Sequence, residues 1–373
     1  MKVLNAAVIG VGFIGNVHIQ TIQRIPGVHL RAICTTSPEK KKSLEIRYPV
    51  DYVTDSWQAI IDDPDIDVIH NCTPNAMHDE INRAAILAGK HIYAEKPLSQ
   101  NGVSAKEIYM LAKNKGVAHG VNFQYRMNAA VHEMRARIRK ESECKRLFVQ
   151  GIYYQDSVTR HTDYTKRQIP ETSPARALLD IGIHWADTAM FVMEQPISRV
   201  YARMYTHHPV RIDPETGKEI VIRSDDTTTV MVEFADGTPG TAIFSKCMMG
   251  HKNDLVVTVN TELHEYTWKQ EACNRLYIGN REMGNEKFYV NNKYCQKEAG
   301  LYAGLPAGHD YGWQDAQYNA MAAFYTSIRD GGYIEGKHDY ATMEDGWRAA
   351  RFVDACLMSA RENRWVELGE VCQ

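Results

Sequence analysis

Short apolar segments alternate with stretches of helical character through the first third of the chain. Residues 6–9 are continuously apolar, which is typical of a strand that is buried on both faces of a parallel sheet. The same pattern predicts further strands at 28–34, 50–54, 67–72, 91–94 and 117–123. Because a helix is predicted between successive strands, we expect an α/β fold, here a doubly wound sheet of six strands.

After residue 140 the pattern changes to alternating apolar and polar positions that are rich in β-branched residues, which predicts half-buried strands. These strands are expected at 146–154, 197–206, 218–222, 227–234, 240–246, 255–260 and 365–368, with helices at 313–329 and 342–362. A chain of 373 residues exceeds one ordinary core. We therefore predict two domains, residues 1–124 and residues 125–373.

Composition narrows the class of protein. The chain is 44% hydrophobic and 24% charged with a net charge of −3, so no basic field attracts nucleic acid or acidic membranes. No apolar run reaches the roughly 18 residues of a membrane span, and the first residues lack the shape of a signal peptide. The eight cysteines show no metal-ligand spacing. We expect a cytoplasmic protein with no metal, nucleic-acid or membrane partner.

Three glycines follow the first predicted strand as G-x-G-x-x-G, namely Gly10, Gly12 and Gly15, with Phe13 and Ile14 between them. Gly10 permits a tight turn, Gly12 lets the backbone approach a pyrophosphate, and Gly15 allows close packing of helix on sheet. The start of the following helix offers unpaired N–H groups and a positive dipole end. The motif in this strand–turn–helix context predicts binding of a dinucleotide, NAD(P).

The end of the second strand bears on the choice of cofactor. An acidic residue there binds the ribose hydroxyls of NAD, but this chain has Thr35 and Thr36, followed by Lys40. Hydroxyls and a lysine suit a 2′-phosphate better than a carboxylate does. We expect that NADP is accepted and mildly favoured, although Glu39 is placed to reach a ribose, which leaves NAD open.

Two further strand ends carry candidate residues, because ligands bind at the carboxyl edge of such a sheet. Thr73 and Pro74 directly follow the strand at 67–72 and are expected to contact the cofactor. Asn75 is either a further contact or the N-cap of the next helix. Glu95, Lys96 and Pro97 follow the strand at 91–94, so Lys96 is either a reactive residue or a surface lysine in a turn.

These motifs together resemble the Gfo/Idh/MocA oxidoreductases of sugars and cyclitols. The resemblance rests on residues 10–15, Cys72-Thr73-Pro74-Asn75 with His78, Glu95-Lys96-Pro97, residues 122–126 and residues 179–187. It implies a Rossmann domain followed by an α+β domain with a large, mostly antiparallel open sheet. One face of that sheet commonly forms the interface of a homo-oligomer, here a homodimer or homotetramer. The Lys-Pro peptide of the family is often cis.

The resemblance also implies site residues. Asp180, His184 and Asp187 are spaced i, i+4 and i+7 on one helix face. Without the resemblance, the favoured roles are an N-cap for Asp180 and a hydrogen-bonded helix histidine for His184. With the resemblance, Lys96, Asp180 and His184 form the catalytic set, and Asp187 is a supporting or structural residue. Cofactor contacts are expected from Gly10, Gly12, Phe13, Ile14, Gly15, Thr35, Thr36, Lys40, Thr73, Pro74, Asn75, His78, Glu95, Lys96 and Gln124.

Substrate contacts are expected from Lys96, Asp180 and His184 and from a second group of residues, Arg126, Tyr154, Tyr164 and Arg167. Tyr164 and Arg167 lie in a polar loop at 155–176 that is too long for a simple connector. The loop either covers a binding site or is a solvated surface loop.

An alcohol releases a hydride only as its proton departs, and His184 is a suitable base. We expect hydride transfer between NAD(P) and a hydroxyl or keto carbon of a sugar, a glycoside (at C3 in some relatives) or a cyclitol such as inositol. The alternatives are an NAD-dependent glycosidase and a cofactor-binding regulator.

Overall fold

The structure is a computed structural model and describes residues 3–164 and 175–372. The chain folds into two units. The first contains Met1–Gln124 and Gln317–Trp347, and the second contains Tyr125–Ala316 and Arg348–Gln373. The predicted division after Gln124 coincides with this boundary, but the C-terminal segment Gln317–Trp347 returns to the first unit.

The first unit is built on a six-stranded sheet. Its strands are β1 (Leu4–Ile9), β2 (Val28–Cys34), β3 (Tyr52–Thr54), β4 (Val68–Asn71), β5 (His91–Ala94) and β6 (His119–Val121). Their order is β3-β2-β1-β4-β5-β6, and every pair is parallel. The connecting helices are α1 (Phe13–Ile22), α2 (Pro38–Arg47), α3 (Trp57–Asp62), α4 (His78–Leu87) and α5 (Gly102–Lys115). The predicted doubly wound Rossmann sheet is confirmed.

The returning segment packs against the same sheet. The backbone N–H of Val121 donates to the carbonyl of Ala341 over 2.8 Å, which extends the hydrogen bonding of β6. A side chain at Gly346 would lie 2.9 Å from Leu98, so the glycine allows the chain to pass close to the loop that follows β5. The hydroxyl of Tyr325 reaches His70 in the centre of the sheet. Sequence periodicity missed this return because helix patterns do not specify a packing partner.

The second unit contains a mixed sheet of nine strands. They are β7 (Arg146–Tyr154), β8 (Ile197–Tyr205), β11 (Thr227–Phe234), β12 (Pro239–Ser245), β13 (Asp254–Thr261), β14 (His264–Lys269), β15 (Arg275–Asn280), β16 (Glu286–Tyr289) and β17 (Val366–Glu367). The order is β16-β15-β14-β13-β7-β12-β11-β8-β17, and only the β7–β12 pair among them is parallel. The predicted mostly antiparallel sheet is confirmed. A separate hairpin pairs β9 (Val210–Ile212) with β10 (Glu219–Val221).

Helices cover one face of the nine-stranded sheet, and the remaining helical segments complete the chain. The helices are α6 (Ala129–Lys140), α7 (Ile183–Met193), α8 (Lys297–Gly300), α9 (Trp313–Asp330), α10 (Gly332–Glu335) and α11 (Met343–Glu362). A π-helical turn, Leu178–Gly182, leads directly into α7. A side chain at Gly151 of β7 would lie 2.0 Å from the indole nitrogen of Trp185, so this glycine lets α7 lie close to the sheet. No helix in the described ranges 3–164 and 175–372 is long and apolar enough to cross a bilayer.

Candidate active site

The loop after β1 has the geometry that the glycine spacing predicts. Gly10 has φ +92°, and a side chain there would lie 2.6 Å from the carbonyl oxygen of Cys72. A side chain on Gly15 would lie 2.1 Å from the carbonyl oxygen of Gly10. In contrast, a Cβ on Gly12 would meet no atom within 4 Å, and Gly12 precedes α1 without a side-chain cap. Open backbone before a helix N-terminus fits a pyrophosphate.

The neighbouring loop after β2 places a cation beside this turn. The ammonium of Lys40 donates to the carbonyl of Val11 over 3.0 Å. Ser37 caps α2 by accepting from the backbone N–H of Lys40, so the N-terminus of α2 opens at the same edge. Thr35 is buried, whereas Thr36 is exposed. A lysine and a helix N-terminus here suit an anion near the ribose position.

The loop after β4 is held to the loop after β5 by one imidazole. His78 is buried, and its Nδ1 lies 2.6 Å from the carbonyl oxygen of Pro97 while its Nε2 lies 2.9 Å from that of Thr73. His78 therefore binds backbone of both loops. Asn75 begins a 3₁₀ turn, Asn75–Met77, whose preceding residue is Pro74, and α4 begins only at His78. The alternative that Asn75 caps the helix is wrong, because its backbone is already helical.

Glu95 and Lys96 lie at the end of β5. Glu95 is buried, and its Oε1 lies 2.9 Å from Nε2 of His18 while its Oε2 accepts from the backbone N–H of Lys96 over 3.2 Å. Burial opposes ionisation, but hydrogen bonds from His18 and Asn122 outweigh it and lower the pKa of Glu95. Lys96 is half-buried and the Lys96–Pro97 peptide is cis, as the resemblance implies.

Gln124 and Arg126 belong to a 3₁₀ turn, Gln124–Met127, and both are buried. The guanidinium of Arg126 forms a bidentate pair with the carboxylate of Asp187, with Nε 3.0 Å from Oδ2, and lies 4.9 Å from the ring centre of Phe191. Arg126 was predicted to bind substrate, whereas this pairing gives it a part in positioning α7. Asp187 is the partner of Arg126 in this pair.

Asp180 is paired with a lysine that the sequence did not single out. The ammonium of Lys246, the residue after β12, donates to Oδ2 of Asp180. The lysine side chain is only 8% exposed and that of Asp180 is 36% exposed, so the carboxylate is the accessible partner. Asp180 lies within the π-helical turn, and its N–H donates to the carbonyl of Arg176. It is therefore not an N-cap, and the regular i, i+4 spacing to His184 does not apply.

His184 lies against a cluster of tyrosines. Its ring is edge-on to that of Tyr125 with the centres 4.9 Å apart, and it lies 6.3 Å from the ring of Tyr153. The two tyrosine hydroxyls are 2.9 Å apart. Tyr153 donates to Asn253 over 2.6 Å, and the amide of Asn253 donates to Tyr125 over 3.0 Å. The buried imidazole thus lies against two tyrosine rings whose hydroxyls are hydrogen-bonded to each other and to Asn253.

Tyr154 lies on the opposite face of β7 from Tyr153. Side chains alternate along a strand, and the ring of Tyr154 contacts His251, with centres 5.2 Å apart. The tyrosine of β7 whose ring lies near His184 is therefore Tyr153, which the sequence analysis did not single out. Tyr164 is half-buried and its N–H donates to the carbonyl of Thr162, whereas Arg167 lies outside the described residues.

Within 3–164 and 175–372, no three His, Cys, Asp or Glu side chains are grouped to hold a metal ion.

Two family models match the chain. One, an oxidoreductase family with an NAD-binding Rossmann fold, covers residues 4–123, and the other, the C-terminal alpha/beta domain of the same family, covers residues 153–368.

Levoglucosan dehydrogenase of Pseudarthrobacter phenanthrenivorans is 27% identical over 397 residues and covers all of both chains. D-glucoside 3-dehydrogenase of Escherichia coli is 26% identical over 202 residues, which is 52% of this chain and 55% of that protein. Among solved structures, levoglucosan dehydrogenase in complex with NADH and L-sorbose has a TM-score of 0.89 at 27% identity, with 99% of each chain covered. The predicted likeness is confirmed.

Proposed function

Because the chain belongs to the Gfo/Idh/MocA family of NAD-binding oxidoreductases, we propose that it moves a hydride between NAD(P) and a hydroxyl-bearing carbon of a sugar, glycoside or cyclitol. One observation carries the proposal. The glycine loop, Thr73 and Lys96 follow β1, β4 and β5, which are neighbouring parallel strands of one sheet. Their carboxyl ends share an edge, which is where nucleotides bind in this fold.

The residues present fit a dinucleotide. The open backbone at Gly12 and the start of α1 would hold the pyrophosphate, and Thr73 and Lys96 would flank the nicotinamide. Bound there, the nicotinamide supplies the hydride acceptor or donor. At the other end, Lys40 and the capped start of α2 favour a 2′-phosphate, so we propose a mild preference for NADP over NAD.

The second unit supplies groups for the alcohol. His184, which lies against the rings of Tyr125 and Tyr153, takes the proton of the reacting hydroxyl group as it leaves. Asp180 presents an accessible carboxylate that Lys246 holds in place, which suits binding of a neighbouring hydroxyl. Lys96 stabilises the negative charge that develops on the oxygen. These three roles are the catalytic proposal.

For the substrate we propose a glycoside or anhydrosugar, with the hydroxyl at C3 as the reacting group. The second unit carries hydroxyl, amide and carboxylate groups of the kind that hydrogen-bond a polyol. They belong to Tyr125, Tyr153, Asn253 and Asp180. Relatives named for levoglucosan and for position 3 of D-glucosides support the same choice. A relative that acts on myo-inositol keeps cyclitols in the screen.

The test is a screen of glycosides, anhydrosugars, free sugars and cyclitols with NAD and with NADP, read by the absorbance of the reduced nicotinamide. We expect reduction with at least one glycoside or anhydrosugar and a ketone product at C3 by NMR. Aglycone release without net change in that absorbance would instead establish the glycosidase. Binding of cofactor without either reaction would refute the proposed activity.

The cofactor preference has its own test. Lys40→Ala removes the cation beside the glycine loop and is expected to weaken binding of NADPH about tenfold to a hundredfold, the scale of one charge-assisted hydrogen bond. NADH binding should change less than twofold. Titration of both cofactors by fluorescence measures this, and a clear preference of the native protein for NADH would contradict the proposal.

We further propose that the chain forms a homodimer or homotetramer through the open face of the nine-stranded sheet. Tyr205 and Met231 are 46% and 42% exposed. Where β11 pairs with β8, Met231 lies opposite Tyr201 and Thr227 lies opposite Tyr205. These four side chains therefore lie on the same face of the sheet. Sedimentation velocity measures the state, and Met231→Lys should shift it towards the monomer. A native monomer would contradict the assignment.

A further inference from the structure

A continuous line of buried hydrogen bonds runs through the first unit from α9 to the end of β5. The hydroxyl of Tyr325 lies 2.8 Å from Nε2 of His70. Nδ1 of His70 lies 3.0 Å from Nδ1 of His18, and Nε2 of His18 lies 2.9 Å from Oε1 of Glu95. His18, His70 and Tyr325 are each 0% exposed. The chemistry proposed above uses neither imidazole.

The direction of each bond follows from the carboxylate of Glu95 if His18 is neutral. The ionised carboxylate of Glu95 only accepts, so Nε2 of His18 carries the proton. In a neutral His18 the Nδ1 is then an acceptor, which requires that Nδ1 of His70 donates. Nε2 of His70 is consequently an acceptor for the hydroxyl of Tyr325. Every donor in the line therefore points towards Glu95.

His70 is held neutral in this arrangement. Burial is the main cause that lowers its pKa well below the ordinary value. The carboxylate of Glu95 also accepts from Asn122, over 2.5 Å to Oε1, and from the backbone of Lys96, over 3.2 Å to Oε2. Both oxygens are engaged, so the carboxylate has one orientation and the backbone of Lys96 is fixed to it.

The composition of this line argues for a purpose beyond packing. Two imidazoles, a phenol and a carboxylate in the interior of the first unit cost desolvation free energy that apolar side chains of similar volume would not. Such buried polar networks are maintained only when every member is satisfied, and then they specify one geometry. The geometry specified here is that of Glu95 and of the Lys96 backbone.

We propose that His18 and His70, with Tyr325 at the end of the line, are positioning residues that hold Lys96 in place for hydride transfer. The proposal rests on the catalytic role proposed for Lys96. It also assigns the C-terminal segment Gln317–Trp347 a part in that site, because this segment contains Tyr325 and folds with the first unit. The line ends inside the protein at Tyr325, so it orients groups and does not carry protons to solvent.

The direct test is independent of catalysis. ¹⁵N-histidine NMR of the full chain, assigned with His18→Gln and His70→Gln, reports which ring nitrogen carries the proton. We expect a proton on Nε2 of His18 and on Nδ1 of His70. A proton on Nε2 of His70, or a fully protonated His18, would reverse the line and overturn the proposed orientation.

The kinetic test compares two substitutions at one position. His70→Leu removes both hydrogen bonds and is expected to lower kcat about tenfold, with KM for the sugar and Kd for the cofactor within twofold of native. His70→Asn keeps an amide near Nδ1 and should recover most of that loss, although it leaves a smaller side chain. His119→Leu, at a half-buried histidine at the start of β6, is the matched control and should leave kcat unchanged.

The outcomes separate the two proposals. If His70→Leu does not fold, Tyr325→Phe tests the line more gently, with an expected loss in kcat of about threefold and no change in KM. Equal kcat for His70→Leu and His70→Asn would make the line purely structural and overturn the positioning role. Native turnover of Lys96→Ala would refute the catalytic role of Lys96 while the tautomer result still stood.

Discussion

The two units present their candidate residues by different means. In the first unit, the candidate cofactor contacts at Gly10, Gly12 and Gly15 are backbone, and a line of interior hydrogen bonds leads to Glu95 and the backbone of Lys96. In the second unit, the candidate groups are side chains: the rings of Tyr125 and Tyr153 lie against His184, and Asn253 hydrogen-bonds both tyrosines. A backbone site tolerates most substitutions beside its glycines, whereas a side-chain site depends on each of its members.

The sharpest test of this contrast removes the one reactive side chain proposed in the first unit. Lys96→Ala is expected to lower turnover by roughly 10²–10⁴, the range for a lost acid–base or charge-stabilising group. Cofactor binding should persist, because the glycine loop is unchanged. Stopped-flow turnover and fluorescence titration measure the two, with exposed Lys115→Ala as the control. Near-native turnover would remove Lys96 from the catalytic set.

A second test breaks the pair in the other unit. Lys246→Met leaves Asp180 without its buried partner and is expected to lower kcat/KM about 10–100-fold, because a charge loses its oriented counterion. Lys252→Met is the matched control. It removes a lysine that pairs with Asp156 but is 76% exposed, so little change is expected. Equal losses in the two variants would show that Asp180 does not depend on Lys246.

Neighbouring tyrosines of β7 offer a smaller and more exact comparison. Tyr153→Phe deletes the hydroxyl that contacts Tyr125 and Asn253 and should lower kcat/KM about fivefold to tenfold. Burial raises the pKa of Tyr153 well above its ordinary value, so the lost group is a neutral hydroxyl. Tyr154→Phe, on the opposite face, should stay within twofold. Greater sensitivity at Tyr154 would reverse the assignment of faces.

The smallest expected effect is a change in how the free energy of unfolding depends on pH, and it arises from a histidine of the first unit. The pKa of His70 is lowered well below 6.5 by burial, so below that pH the unfolded chain binds a proton that the folded chain excludes. Stability therefore falls as pH falls, by up to about 1.4 kcal/mol per unit. His70→Asn does not titrate and should flatten this slope. Urea denaturation between about pH 5 and 7 measures it.

Some slope will persist in His70→Asn, because the pKa of His119 is lowered to about 4 by burial and acts in the same direction. An unchanged slope in His70→Asn would show that His70 titrates equally in both states.

The sequence predicted the first unit better than the second for a physical reason. Glycine spacing, a strand end and a proline are local signals, so Gly10, Lys96 and the doubly wound order followed from neighbours in the chain. Lys246 and Asn253 reach their partners only through strand pairing across the sheet, which periodicity does not specify. The π-helical turn at Asp180 and the register that separates Tyr153 from Tyr154 likewise arise from packing.

The returning segment has a consequence for how the protein is made. On the ribosome, β6 is complete long before Tyr325 and Ala341, which belong to the same unit, have been synthesised. At roughly 5–20 residues per second the delay is on the order of 10–45 s. During that time His70 lacks its hydroxyl partner and one edge of the sheet lacks its cover. We therefore expect residues 1–124 expressed alone to be an aggregation-prone fragment until residues 317–347 are joined to them.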